Sequence, residues 1–175
     1  MHYGVLMNGR TRTIRVVLSI SDQFSKLPGY EVVAAVNSGE ELIRVLEKES
    51  VDLVITDLVM QGEEDVELNG LRLVSKLRRS HPDIPLVVVT MMTSGGMFHE
   101  LGKLGVAAIV SKEEPASELA QISMRALIGK EMIVSPKIQM RLAREGSTTK
   151  DLAREQPRFR HANSRWPGCL RKACR

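Results

Sequence analysis

The sequence predicts an α/β fold built on a doubly wound parallel sheet, on three observations. Residues 51–57, 85–90 and 106–112 are short apolar runs rich in β-branched residues, the pattern of strands buried on both faces. Between them, leucine and valine recur at helical spacing, and strands alternating with helices imply parallel pairing. Each run also closes on a polar side chain, Asp57, Thr90 or Lys112. Ligands of an open parallel sheet gather at the carboxyl ends of its strands, so these three residues mark a candidate functional edge.

In chain order, residues 1–13 are a polar mixture with Gly4, Gly9 and two arginines, and read as a loose lead-in. Residues 14–18 are the first expected strand and residues 31–36 the second. Asn37 and Ser38 suit an N-cap before a helix over 39–46 that places Leu42, Val45 and Leu46 on one face. The strand at 51–57 passes into a loop holding Glu63, Glu64, Asp65 and Glu67, whose spacing matches no calcium loop and reads as solvated. Residues 71–79 form a helix that offers Leu71, Leu73, Val74 and Leu77 to the core, and His81-Pro82 ends it. His81 reads as a helix-end residue and not as a catalytic base. After the strand at 85–90, Gly95 and Gly96 open a loop with freedom to move but without the Gly-Lys-Ser/Thr of a phosphate-binding loop.

A short helix over 97–105, the strand at 106–112 and a helix from Glu114 towards Leu127 follow. Met91, Met92, Met97 and Met124 fit ordinary core filling better than an adaptable contact surface. Residues 135–142 begin a further helix with Pro136 in its first turn.

Composition bounds the function classes. At 175 residues and 43% hydrophobic content the chain is long enough for one well-buried domain. No apolar run approaches the roughly 20 residues that span a bilayer, and residues 1–13 lack the apolar core of a secretory signal, so a cytoplasmic location without membrane contact is expected. The net charge of +4 is local: residues 151–175 hold seven Lys/Arg against two acids, and the rest of the chain 18 against 19. Cys169, Cys174 and Trp166 lie in the same stretch, with spacing that completes neither a metal site nor a disulfide framework.

If the three strands are parallel neighbours, Asp57, Thr90 and Lys112 converge. A carboxylate, a hydroxyl and a fixed cation can together accept and hold a phosphoryl group: the acid attacks, the ammonium offsets charge on the phosphoryl oxygens, and the hydroxyl hydrogen-bonds to one of them. Alone, Asp57 also reads as a loop carboxylate capping the next turn.

The order and spacing of these residues, with Ile55-Thr56-Asp57-Leu58 and Val87-Val88-Val89-Thr90-Met91, resemble the receiver domain of two-component response regulators. Within that family they resemble the NarL/LuxR branch, closest to the RcsB-like capsule regulators, over residues 14–145. The resemblance implies a flavodoxin-type fold with Asp57 as phosphoacceptor, Thr90 as switch hydroxyl and Lys112 as phosphate contact. It also implies a histidine kinase or phosphotransfer partner, Mg²⁺ at the acidic edge, DNA binding, and homo- or heterodimerisation through the last receiver helix and strand. Ile109 takes the position of the aromatic switch residue of many receivers.

One departure bears on chemistry. NarL/LuxR receivers follow the first strand with an acid pair and a full first helix, whereas only residues 19–26 intervene here. The first helix is therefore expected to be shortened and the acid pair missing, which puts Mg²⁺ binding in doubt. A hard cation wants several oxygen ligands. Besides Asp57, the one acid in reach in this segment is Asp22, whose place suits a helix N-cap better than a metal ligand.

The expected organisation is a receiver over 14–130, a connector helix and linker over 131–150, and a disordered basic tail over 151–175. Residues 156–175, back-translated with permitted codons and read two nucleotides later, can yield Ala-Ala-Ile-Ser-Ala-Arg-Glu-Leu-Glu-Val-Ala-Arg-Leu-Phe-Ala-Glu-Gly-Leu-Ser, which resembles the start of a LuxR-type helix-turn-helix domain. A frameshifted remnant is thus the expected origin of the tail. The leading expectation for function is a receiver in a phosphorelay, from a transcription-regulator lineage. The alternative is a degenerate, phosphorylation-independent module that pairs with other regulators. An independent enzyme is the least supported, since no triad, zinc cluster or nucleotide loop is present.

Overall fold

The computed structural model describes residues 4–7, 32–36, 38–58, 70–91, 94–129 and 131–154. The strands among them are β1 (Gly4–Met7), β2 (Val32–Val36), β3 (Leu53–Asp57), β4 (Leu86–Thr90), β5 (Ala108–Ser111) and β6 (Ile133–Val134). They form one sheet in the order β2-β1-β3-β4-β5-β6. The helices are α1 (Gly39–Lys48), α2 (Leu71–Ser80), α3 (Gly95–Lys103), α4 (Ala116–Ile128), α5 (Pro136–Arg144) and α6 (Thr149–Arg154).

Strand periodicity sorts the core into two layers. Val54, Leu86, Val88 and Ile109 face one side, against Leu42 and Leu46 of α1, Leu73, Val74 and Leu77 of α2, and Phe98 and Leu101 of α3. Leu53, Ile55, Val87, Val89, Ala108 and Val110 face the other, against Leu119, Ala120, Ile122 and Ala126 of α4. Alternate residues thus enter opposite layers, and β3, β4 and β5 are buried along their whole lengths. This is the helix-covered parallel sheet that the unbroken apolar runs predicted. Ser38 caps α1 as expected, its Oγ accepting from the Glu41 N–H at 3.2 Å, and His81 is the C-cap of α2.

Three expectations are corrected. β3, β4, β5 and β6 run parallel, but the strand between β2 and β3 is antiparallel to both. It is Gly4–Met7, inside the expected lead-in, while the expected first strand at 14–18 and the shortened helix after it lie outside the described residues. A central strand such as β3 needs partners for its backbone groups on both sides, and the four-residue run Gly-Val-Leu-Met is enough to supply them.

The second correction concerns residue 130 as a boundary. β6 extends the sheet beyond β5, and Ile138 and Leu142 of α5 with Leu152 of α6 are buried in the same layer as α1, α2 and α3. Residues 131–154, with the expected connector helix among them, therefore pack into the same core as the elements before them.

Third, the tail cannot begin at 151. Thr148 and Asp151 form a reciprocal cap, Thr148 N–H and Oγ1–H donating to Asp151 Oδ2 at 2.8 and 2.6 Å and the Asp151 N–H donating to Thr148 Oγ1 at 3.4 Å. The Thr-x-x-Asp spacing was a legible capping box hidden in a linker-like composition. Residues 155–175 lie outside the described residues.

Candidate phosphoacceptor site

Parallel register brings the three predicted residues to one edge. Asp57, the last residue of β3, pairs with Val89, and Thr90, the last of β4, pairs with Ser111. Lys112 follows directly and is tied back to β4 by its N–H to the Thr90 carbonyl at 2.9 Å. The apolar strands thus deliver each polar side chain by their length alone.

Asp57 is 2% exposed and Thr90 is fully buried. The Asp57 carboxylate accepts a hydrogen bond from the Lys112 ammonium. Burying a carboxylate is costly unless it is paired and hydrogen-bonded, and Lys112 meets that need while leaving 27% of its own side chain in solvent. A cation within reach of solvent, against a buried carboxylate at a strand end, can stay with the acid as it changes its bonding. Ile109 is fully buried and belongs to the core cluster that holds Phe98 and Leu101 of α3 and Ile138 and Leu142 of α5.

The metal expectation fares differently. Asp22 and the acidic loop with Glu63, Glu64, Asp65 and Glu67 lie outside the described residues. Among the described residues no group of three or more His, Cys, Asp or Glu side chains could hold a metal. β1 contributes to this: Gly4 pairs with Thr56 and Met7 with Leu53, so the strand beside β3 ends at the edge remote from Asp57. A parallel strand there would end next to it. The described residues thus bring Asp57 but do not by themselves fit a divalent cation.

The sequence reading missed the polar groups just outside the trio. Thr56 donates from Oγ1 to the Asp57 carbonyl at 3.2 Å. Ser135, before α5, is fully buried and accepts from the Ser111 N–H at 3.1 Å. The adjacent acids Glu113 and Glu114, following Lys112 immediately, were the available signal for what binds that loop.

With the geometry in place, comparison with known proteins gives the family. The response regulator receiver domain family matches residues 14–123, and the chain belongs to it. It is 31% identical over 124 residues to the response regulator GacA of Pseudomonas viridiflava, covering 71% of this chain and 55% of that one. The corresponding protein of Pseudomonas syringae pv. syringae is 30% identical over the same shares. The chain therefore spans about half the length of the curated relatives it matches.

Among solved structures, a LuxR-family response regulator from Aurantimonas superposes with a TM-score of 0.62 at 24% identity, over 71% of this chain and 85% of that one. The non-phosphorylated receiver domain of RcsB from Escherichia coli gives 0.60 at 24%, over 67% and 88%. At these identities the likeness is one of fold: the flavodoxin-like, doubly wound receiver fold. Receiver domains are signalling modules of two-component systems that are phosphorylated on an aspartate, generally bind Mg²⁺ at their acidic site, and interact with histidine kinases or phosphotransfer proteins. Among the described residues no helix is long and apolar enough to cross a membrane.

Proposed function

We propose that this chain is a phosphorelay receiver that accepts a phosphoryl group on Asp57, with Lys112 as the phosphate contact and Thr90 as the switch hydroxyl. The observation that carries the reading is the pairing of the buried Asp57 carboxylate with the partly solvated Lys112 ammonium at the carboxyl edge of the parallel strands. A carboxylate oxygen of Asp57 attacks the phosphorus of a phosphohistidine on a kinase or phosphotransfer protein. The P–N bond breaks, and the imidazole leaves with the electron pair and takes up a proton. The Lys112 ammonium offsets charge on the phosphoryl oxygens, and the Thr90 hydroxyl donates to one of them. The chain is a cytoplasmic signalling module and not an independent enzyme. Its lineage is a NarL/LuxR transcription regulator near the RcsB-like proteins, with residues 156–175 a frameshifted remnant of the DNA-binding half.

The test is intact mass after incubation with a small phosphoryl donor and Mg²⁺, beside Asp57→Asn. The expected result is one added phosphoryl group that the substitution abolishes. A second reading, a phosphorylation-independent module that pairs with other regulators, draws on the orientation of β1 and the incomplete metal ligation among the described residues. It becomes the function if the folded chain gains no phosphoryl group.

A further inference from the structure

Residues 131–154 are bound to the receiver at the two loops that border Asp57. The loop after β5 begins with Lys112, the partner of Asp57. Its next residue, Glu113, pairs with Arg141 of α5 at 2.9 Å and with Lys137 at 4.0 Å, and its carbonyl accepts from the Lys137 ammonium at 2.5 Å. Glu114 accepts from the Lys137 N–H, in the first turn of α5, at 2.7 Å. The loop after β4 begins beyond Thr90 and ends where α3 starts. There Glu145, at the carboxyl end of α5, accepts from the Gly95 N–H at 2.9 Å. Each end of α5 is thus held by one of the two loops that a change at Asp57 reaches first.

The rest of the segment completes a strap. β6 covers the outer side of β5, and α6 lies on α3, where Gly102 lets the backbones meet: a Cβ there would stand 2.9 Å from the Leu152 carbonyl oxygen. The helix after Thr90 and the last central strand are therefore occupied by this chain's own residues.

We propose that 131–154 is an intramolecular strap coupled to the charge at Asp57: altering that charge moves Lys112 from its place against the carboxylate, shifts Glu113 and Glu114, and loosens α5 and β6 from α3 and β5. The physiological trigger, phosphorylation, rests on the function proposed above, whereas the coupling itself does not. A phosphoryl group draws Lys112 and Thr90 towards its oxygens, moving both anchoring loops in one event. Opening the strap uncovers the β5 edge and the glycine face of α3.

Hydrogen exchange of the full chain, followed by mass spectrometry, tests this. Arg141→Gln, which removes a charge-assisted contact, is expected to speed exchange in 133–152 on the order of tenfold while β3 and β4 keep their protection. Asp57→Asn, without any donor, is expected to raise exchange in the same segment. The phosphoryl donor should do so in the wild-type chain, with Asp57→Asn showing no further response to it. Unchanged exchange in Arg141→Gln overturns the clamp. A response to Arg141→Gln but none to Asp57→Asn overturns the coupling, as does a phosphorylated chain with unaltered strap exchange. Failure to add a phosphoryl group, with Asp57→Asn still loosening the strap, overturns the phosphoacceptor reading and supports the coupling.

Discussion

At the scale of single residues, charge compensation decides most. Lys112 is the cation paired with a carboxylate that is nearly out of solvent. Lys112→Ala is expected to lower stability by about 1–3 kcal/mol, below the cost of breaking a fully buried pair because Lys112 is itself partly solvated. Asp57→Asn in the same chain should restore much of the loss, and urea unfolding of the two single variants and the double variant measures the coupling.

Asp151 supplies a pH dependence. Its hydrogen bonds from the Thr148 hydroxyl and N–H hold its pKa below the ordinary value of 3.8. A carboxyl depressed in the folded state stabilises it above the unfolded pKa and loses that contribution as pH falls through the folded pKa. Acid should therefore fray α6 below the usual carboxylate range. Amide exchange at 149–154, followed from neutral pH downwards, checks this, and Thr148→Ala should move the loss to higher pH.

At the scale of elements, α3 is the meeting point. On its inner side Phe98 and Leu101 fill the core, while Gly102 admits the α6 backbone and Gly95 receives Glu145. Leu152 is fully buried in that layer. Leu152→Ala should cost about 2–3 kcal/mol, towards the low end for a buried leucine because a short terminal helix can partly collapse onto the gap. Denaturant midpoints give the magnitude, and exchange confined to α6 and α3 locates it. α6 has only six residues, too few to be stable alone, so its capping box could be read but its helix depends on docking. β6, with two residues, carries no periodicity to read, and exists because β5 offers it an unpaired edge.

At the scale of the whole molecule, the receiver and the segment after it share one core. A chain ended at residue 130 would expose the outer side of β5 and the apolar seats of Ile138, Leu142 and Leu152. It should unfold at lower denaturant than the full chain and associate at high concentration. Sedimentation beside urea unfolding of the two forms decides this. The same packing means that dimerisation through the last receiver helix and strand, the mode implied by the resemblance, requires β6 to leave β5.

The sequence by itself determined the α/β class, the buried parallel strands and the residues at their ends, because period-two burial and a polar residue closing an apolar run are local properties. It placed Asp57, Thr90 and Lys112 on one edge, and the register agrees. Tertiary structure alone decided the direction of β1, since a short apolar run pairs in either sense. It also decided that 131–154 belongs to the core. Glu113, Glu145 and Gly102 look like ordinary loop and helix residues until Arg141, Gly95 and Leu152, distant in sequence, supply the charges, donors and backbone that give them a role.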